Sequence, residues 1–108
     1  MSMQKHRFSQ HAIARWKERF SHLIRRTELD PIKSLCKEFY SAKPYRAILN
    51  NTAFIAKVYD NHGTEGGPID FYTTDEVVFV CRENTLVTVY DREQNFPKLR
   101  KHNYKPKG

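Results

Sequence analysis

The apolar and polar positions divide the chain into two helical segments followed by a run of strands. From Gln10 to about Arg25 the spacing predicts one amphipathic helix. At about 100° per residue, His11, Arg15, Glu18 and His22 fall within roughly 60° of one another, and Ile13, Trp16, Phe20 and Leu23 gather on the opposite side. Ser9 stands at the N-cap position, and Phe8 and Ile13 occupy the two positions of a hydrophobic staple. Arg25 and Arg26 lie near the C-terminus, where positive charge is favourable. Asp30-Pro31 opens a second helix over about residues 31–42, with Asp30 as cap and Pro31 in the first turn. Its apolar residues Ile32, Leu35, Cys36, Phe39 and Tyr40 follow a core-facing stripe, and Lys43-Pro44 ends it.

The remainder reads as strands. Tyr45–Leu49 is a weak segment and Ala53–Tyr59 a stronger one. Asp60–Pro68, with Gly63, Gly66 and Gly67, reads as a loop. Ile69–Thr73 follows, then Glu76–Arg82 and Thr85–Asp91, joined by a tight turn at Glu83-Asn84 as a β-hairpin. The expected fold is α+β: two N-terminal helices packed on an antiparallel sheet of three to five strands, with Trp16, Phe20, Phe39, Val78 and Val80 buried. Residues 1–95 would form a single domain and 96–108 a basic tail, in which Phe96, Leu99 and Tyr104 would dock one part while Lys105–Gly108 would fray.

Composition narrows the function classes. A length of 108 residues suits one domain with a core that needs neither disulfide nor metal. No apolar run approaches the roughly 20 residues of a membrane span, and Met1–Arg7 does not read as a signal peptide, so a cytoplasmic setting is expected. Cys36 and Cys81 sit apart among apolar neighbours and read as buried free thiols rather than a disulfide. Neither belongs to a close cysteine pair, so no metal or cofactor is expected.

The net charge of +7 is unevenly placed. Residues 1–28 carry seven Lys/Arg against two acids, residues 61–90 one against five, and residues 91–108 six against two. Basic ends flanking an acidic stretch point to a positive surface whose natural partner is nucleic acid. In the tail, Lys98, Arg100, Lys101, His102 and Tyr104 interleave cations with aromatic and imidazole rings, as RNA contact requires; a solvated basic end explains the same pattern. The Asn61–Gly67 segment lacks the glycine order of a phosphate-binding loop.

The helix face with His11, Arg15 and Glu18 carries the sharper chemistry. RNA cleavage without metal needs a base for the 2′-OH proton, an acid for the leaving oxygen and a cation for the phosphate. Histidine titrates near neutrality and arginine grips phosphate through two N–H groups. The alternative is an ordinary solvated face with pairs such as Arg15–Glu18. In Leu86–Tyr90, strict alternation would place Leu86, Thr88 and Tyr90 on one face of a strand and Val87 and Val89 on the other. Thr88 then points to the open face with Tyr90, or serves only as a β-branched strand residue.

The run Phe8-Ser9-Gln10-His11-Ala12-Ile13-Ala14-Arg15-Trp16-Lys17-Glu18-Arg19 resembles the opening helix of BrnT-type toxins and their relatives, F-S/T-x-H-A-x-x-R-x-x-E-R. Leu86-Val87-Thr88-Val89-Tyr90 resembles their closing strand, V-V-T-V-Y. The resemblance spans roughly residues 8–91 and implies a RelE/barnase-like ribonuclease fold, with helices on one face of an antiparallel sheet and RNA on the other face or across the sheet edge. It further implies a metal-independent endoribonuclease, often a toxin held by an acidic antitoxin protein. Matched residue by residue, His11 would be the general base or acid, Arg15 and Arg19 would hold the phosphate, Glu18 would orient His11 or Arg15, and Thr88 would position the phosphate. Tyr90, Lys98, Arg100, Lys101 and His102 would be RNA contacts. The alternative function is a non-catalytic nucleic-acid-binding or inhibitor protein on the same fold.

Overall fold

The computed structural model describes residues 6–63 and 68–95. A short strand β1 (Arg7–Phe8) leads into helices α1 (Gln10–Arg19), α2 (Ser21–Thr27) and α3 (Pro31–Tyr40). Strand β2 (Lys43–Pro44), a 3₁₀ turn (Arg46–Asn50) and helix α4 (Thr52–His62) follow. Strands β3 (Ile69–Thr73), β4 (Val77–Arg82) and β5 (Thr85–Asp91) and the short helix α5 (Arg92–Asn95) complete the order. The strands form one five-stranded sheet, β1-β5-β4-β3-β2.

The fold is α+β, and the sheet is mixed rather than antiparallel. β2, β3, β4 and β5 pair antiparallel, but β1 runs parallel to β5, matching Arg7 with Thr85 and Phe8 with Leu86. This follows from where the first helix begins. Ser9 accepts from Ala12 N at 3.0 Å as its N-cap, and its own N–H donates to Leu86 O at 3.0 Å, so the cap is stitched to the sheet. The β4–β5 turn matches expectation. Glu83 and Asn84 both have positive φ (50° and 67°), as a two-residue hairpin turn demands.

Both sheet faces are covered. Ala12, Trp16, Phe20, Leu23, Leu35 and Phe39 pack on Val77, Phe79, Cys81, Leu86 and Val89. Phe54, Val58 and Ile48 pack on Phe71, Val78, Val80 and Tyr90 from the other side. Central β4 is therefore buried from Val77 to Cys81, which explains its unbroken apolar run. Trp16, Phe20, Phe39, Val78 and Val80 are all fully buried, as the hydrophobic pattern required. Each such side chain contributes roughly 1.5–3 kcal/mol of transfer free energy.

Several expectations are corrected. The Gln10–Arg25 helix is two helices, broken at buried Phe20 (φ −125°, ψ 33°). The break leaves little backbone unpaired, because Phe20 N donates to Trp16 O and Phe20 O accepts from Leu23 N and Ile24 N. Ala53–Tyr59 is helical, not a strand. Asn51 Oδ1 caps Phe54 N at 3.0 Å, and Phe54, Ile55 and Val58 have helical rather than alternating spacing. Helix α4 also takes in Asp60–His62 of the expected loop. Tyr45–Leu49 lies largely in the 3₁₀ turn, which drives Ile48 into the second core. On α3, Ile32 and Tyr40 are exposed, whereas Ser34 is buried and accepts from Trp16 Nε1 at 2.9 Å. The buried indole N–H needs that partner, and meeting it turns Ile32 and Tyr40 outward. Cys36 and Cys81 are free thiols; Cys81 is buried but Cys36 only half-buried.

Candidate nucleic-acid interface

Helix α1 positions the first group of charged side chains. Its apolar side is held on the sheet by Ala12 and Trp16, so His11, Glu18 and Arg19 are exposed on the outside and Arg15 is half-buried. Arg15 Nη1 donates to Glu18 Oε1 at 2.7 Å, one turn on, which orients the guanidinium one turn beyond His11. His11, Arg15 and Arg19 follow one another at i, i+4 and i+8, about 6 Å apart along the axis. His22 does not extend this row, because the break at Phe20 reorients the chain. Its Nε2 lies 3.2 Å from Glu76 Oε1, and Arg26 Nη2 donates to Glu76 Oε2 at 3.4 Å.

Arg19 turns from the helix to the sheet edge. Strand β1 covers only Thr85 and Leu86 of β5, leaving the later carbonyls for other donors. Ser9 Oγ donates to Val87 O at 3.3 Å and Arg19 Nη1 to Val89 O at 2.7 Å. The Arg19 guanidinium carbon lies 5.4 Å from the centroid of the Tyr90 ring. Lys57 Nζ, from α4, lies 5.5 Å from the same centroid. Tyr90 is itself fixed edge-on against Phe54 at 5.1 Å.

Thr88 shares the face of Tyr90, as alternation expected, but α4 covers that face and Thr88 is buried rather than open. Alternation fails only at Leu86 and Val87, at a bulge opposite Val80/Cys81, where Cys81 pairs with Leu86 and Val80 with Thr88. Leu86 and Val89 thus join the α1 core, and Val87 and Tyr90 the α4 core. Thr88, 1% exposed, shares the register of Val80 beneath α4. The structure therefore sets His11, Arg15 and Glu18 along the outer side of α1, with Arg15 bonded to Glu18, puts Arg19 and Tyr90 together at the β5 edge, and leaves Thr88 inside. Lys98, Arg100, Lys101 and His102 lie outside the described residues. Lys57 is not among the sequence candidates because a strand over Ala53–Tyr59 gives it no place near Tyr90; the signals for the helix that puts it there are the Asn51 cap and the Phe54/Val58 spacing.

Elsewhere, a groove of about 350 Å³ lies along the β2–β3 side of the sheet, lined by Tyr45, Arg46, Leu49 and Asp70, and contains none of these residues. Burial pushes the Cys81 thiol up to about 12, with the nearby Asp70 charge adding to the effect. Among the described residues, no group of three His, Cys, Asp or Glu is placed to hold a metal ion, and no helix is long and apolar enough to cross a membrane. No known protein family, curated protein or solved structure matches the chain.

Proposed function

We propose that this chain is an RNA-binding protein of RelE/barnase-like architecture, acting in the cytoplasm, that engages phosphates with the outer face of α1. The observation that carries this reading is the row His11, Arg15, Arg19 on successive turns of a helix whose other side is locked into the core. The axial spacing of the row is comparable with the separation of adjacent phosphates in a single strand. Across α1 and α2, Arg15, Lys17, Arg19, Arg25 and Arg26 face a single acid of the same helices, Glu18. Such a surface gives salt-dependent attraction to a polyanion. Titration of a labelled single-stranded oligouridine at low and high salt tests it.

A second reading, a metal-independent endoribonuclease, is favoured by the placement of exposed His11 one turn before an arginine fixed by Glu18. In that reaction His11 takes the 2′-OH proton, the 2′ oxygen attacks phosphorus, and the bond from phosphorus to the 5′ oxygen breaks as that oxygen takes a proton from water. The product is a 2′,3′-cyclic phosphate, and Arg15 balances the charge that builds on the phosphate. An acidic antitoxin protein would then cover the same positive face.

A further inference from the structure

We infer that the outer side of α3, with the groove at its N-terminal end, is a docking site for an acidic amphipathic helix of another protein. The inference stands apart from the RNA-binding reading, because this surface lies on the other flank of α1 from the row His11, Arg15, Arg19.

Three of the four large apolar side chains that stand exposed among the described residues gather here: Leu29 (37%), Ile32 (49%) and Tyr40 (39%). Ile32, Cys36 and Tyr40 follow one another at i, i+4 and i+8, a stripe about 12 Å long. The inner side of the helix causes this. Ser34, Leu35 and Phe39 are buried, and the Trp16–Ser34 hydrogen bond fixes the rotation that turns the stripe outward. At the N-terminal end of the stripe, Lys17, Asp30, Pro31, Ile32 and Lys33 line a groove of about 390 Å³. Lys17 lies about 200° round α1 from Arg15, which puts the groove away from the cationic row. An exposed apolar stripe that runs into a groove is a surface made for contact with another chain.

Charge selects the occupant. Lys17, Lys33 and Lys37 border the groove and the stripe, and among the described residues none of them enters an ion pair. The Asp30 carboxylate is turned in as the α3 cap, accepting from Lys33 N at 2.8 Å. Glu38 lies about 200° round α3 from Cys36, on the far flank. A second copy of the chain would set these lysines against lysines. Residues 96–108 carry five Lys/Arg and no acid, so they are repelled in the same way. RNA would meet the lysines but leave Leu29 and Ile32 without an apolar partner. A helix with apolar residues along one side and carboxylates on its flanks satisfies the stripe and the lysines together. Two turns of stripe are less than a standard interface buries, so the complex is expected to be of micromolar affinity and transient.

The test uses the full chain and a synthetic helical peptide of about four turns, with leucines along one side and glutamates on both flanks. A control peptide carries lysine in place of each glutamate. Docking is read by anisotropy of the labelled peptide and by the alkylation rate of Cys36, the half-buried free thiol in the middle of the stripe. Cys81 is buried, so the folded chain is alkylated first at Cys36. The glutamate peptide is expected to bind and to slow that alkylation, and the lysine peptide to do neither. Ile32→Ser and the double variant Lys33→Glu/Lys37→Glu should each weaken binding about tenfold. Their urea midpoints should stay near wild type, because all three side chains are exposed. No binding of the glutamate peptide, equal binding of both peptides, or variants with wild-type affinity would overturn the site. If oligouridine protects Cys36 and the glutamate peptide does not, the stripe is an RNA surface and the proposal is wrong. Protection that rises with protein concentration alone and is lost in Ile32→Ser makes it a contact between copies, and also overturns it.

Discussion

Arg19 donates from Nη1 to the carbonyl oxygen of Val89 at 2.7 Å, across 70 residues of sequence. The bond ties the last turn of α1 to an edge of β5 that no strand among the described residues covers, and it sets the guanidinium beside Tyr90. A structural bond and a candidate phosphate contact thus share one side chain. Arg19→Ala is expected to cost about 1 kcal/mol, because a charge-assisted hydrogen bond is discounted where the donor is solvated. Arg19→Lys should recover part of the RNA affinity but less of the stability, since an ammonium lacks the planar fork. Urea midpoints measure the first effect. An Arg19→Ala midpoint equal to wild type would show that the bond does not anchor the helix.

The hydrogen bond from Trp16 to Ser34 fixes how α1 and α3 face each other. Both residues are buried, and Ser34 Oγ also donates to Pro31 O at 2.8 Å. Ser34→Ala leaves the indole N–H unpaired in the core and should destabilise the domain by about 1–3 kcal/mol. RNA affinity below the unfolding transition should not move, because neither residue reaches the α1 surface. An unchanged midpoint would mean that water or another acceptor satisfies the indole.

Much of this packing was legible in the chain, and the failures have specific causes. Ser9, Asp30-Pro31, the Trp16/Phe20 stripe and the Glu83-Asn84 turn are local signals, and each local rule agreed with the final fold. Ala53–Tyr59 misled because Ile, Val, Phe and Tyr suit strands as well as buried helices; the cap at Asn51 decides it. The mixed sheet could not be read, because β1 is two residues long and its parallel partner lies far along the chain. Within the site, the α1 row followed from helical periodicity alone. The burial of Thr88 did not: it keeps the face of Tyr90 that alternation gives it, but that face is covered by α4, a helix in a segment whose Ile, Val, Phe and Tyr also suit a strand.

Cys81 is expected to make stability fall at alkaline pH. Its thiol is pushed from an ordinary 9.0 up to about 12, chiefly by burial. Between those values the unfolded chain releases a proton that the folded chain keeps, so rising pH favours unfolding. The contribution is complete below about pH 9 and is lost as pH climbs towards 12. Cys81→Ala should lower stability at neutral pH through the cavity it leaves, yet show a flatter decline from about pH 8 to 10.5, where one group contributes at most about 1.4 kcal/mol per pH unit. Equal slopes for variant and wild type, measured by urea unfolding at several pH values, would contradict the assignment.

If the His11–Arg15 pair cleaves RNA, His11→Ala should slow cleavage on the order of 10²–10⁴-fold, and Arg15→Ala should also reduce it strongly. Both variants should unfold within about 0.5 kcal/mol of wild type, because these side chains face away from the core. Products should end in 2′,3′-cyclic phosphate or 3′-phosphate, and EDTA should not inhibit. Intact RNA after prolonged incubation with wild type sinks the enzyme reading and leaves the binding reading in place. Cleavage that survives both substitutions locates the chemistry elsewhere.

The most direct test of the central claim is the salt dependence of oligouridine affinity for wild type and for Arg15→Gln, read by anisotropy. The α1 row requires binding at low salt, a steep fall in affinity as salt rises, and for Arg15→Gln a weaker complex whose slope is smaller by about 0.7. Absence of binding by wild type at low salt, or an Arg15→Gln variant with the affinity and slope of wild type, would contradict it.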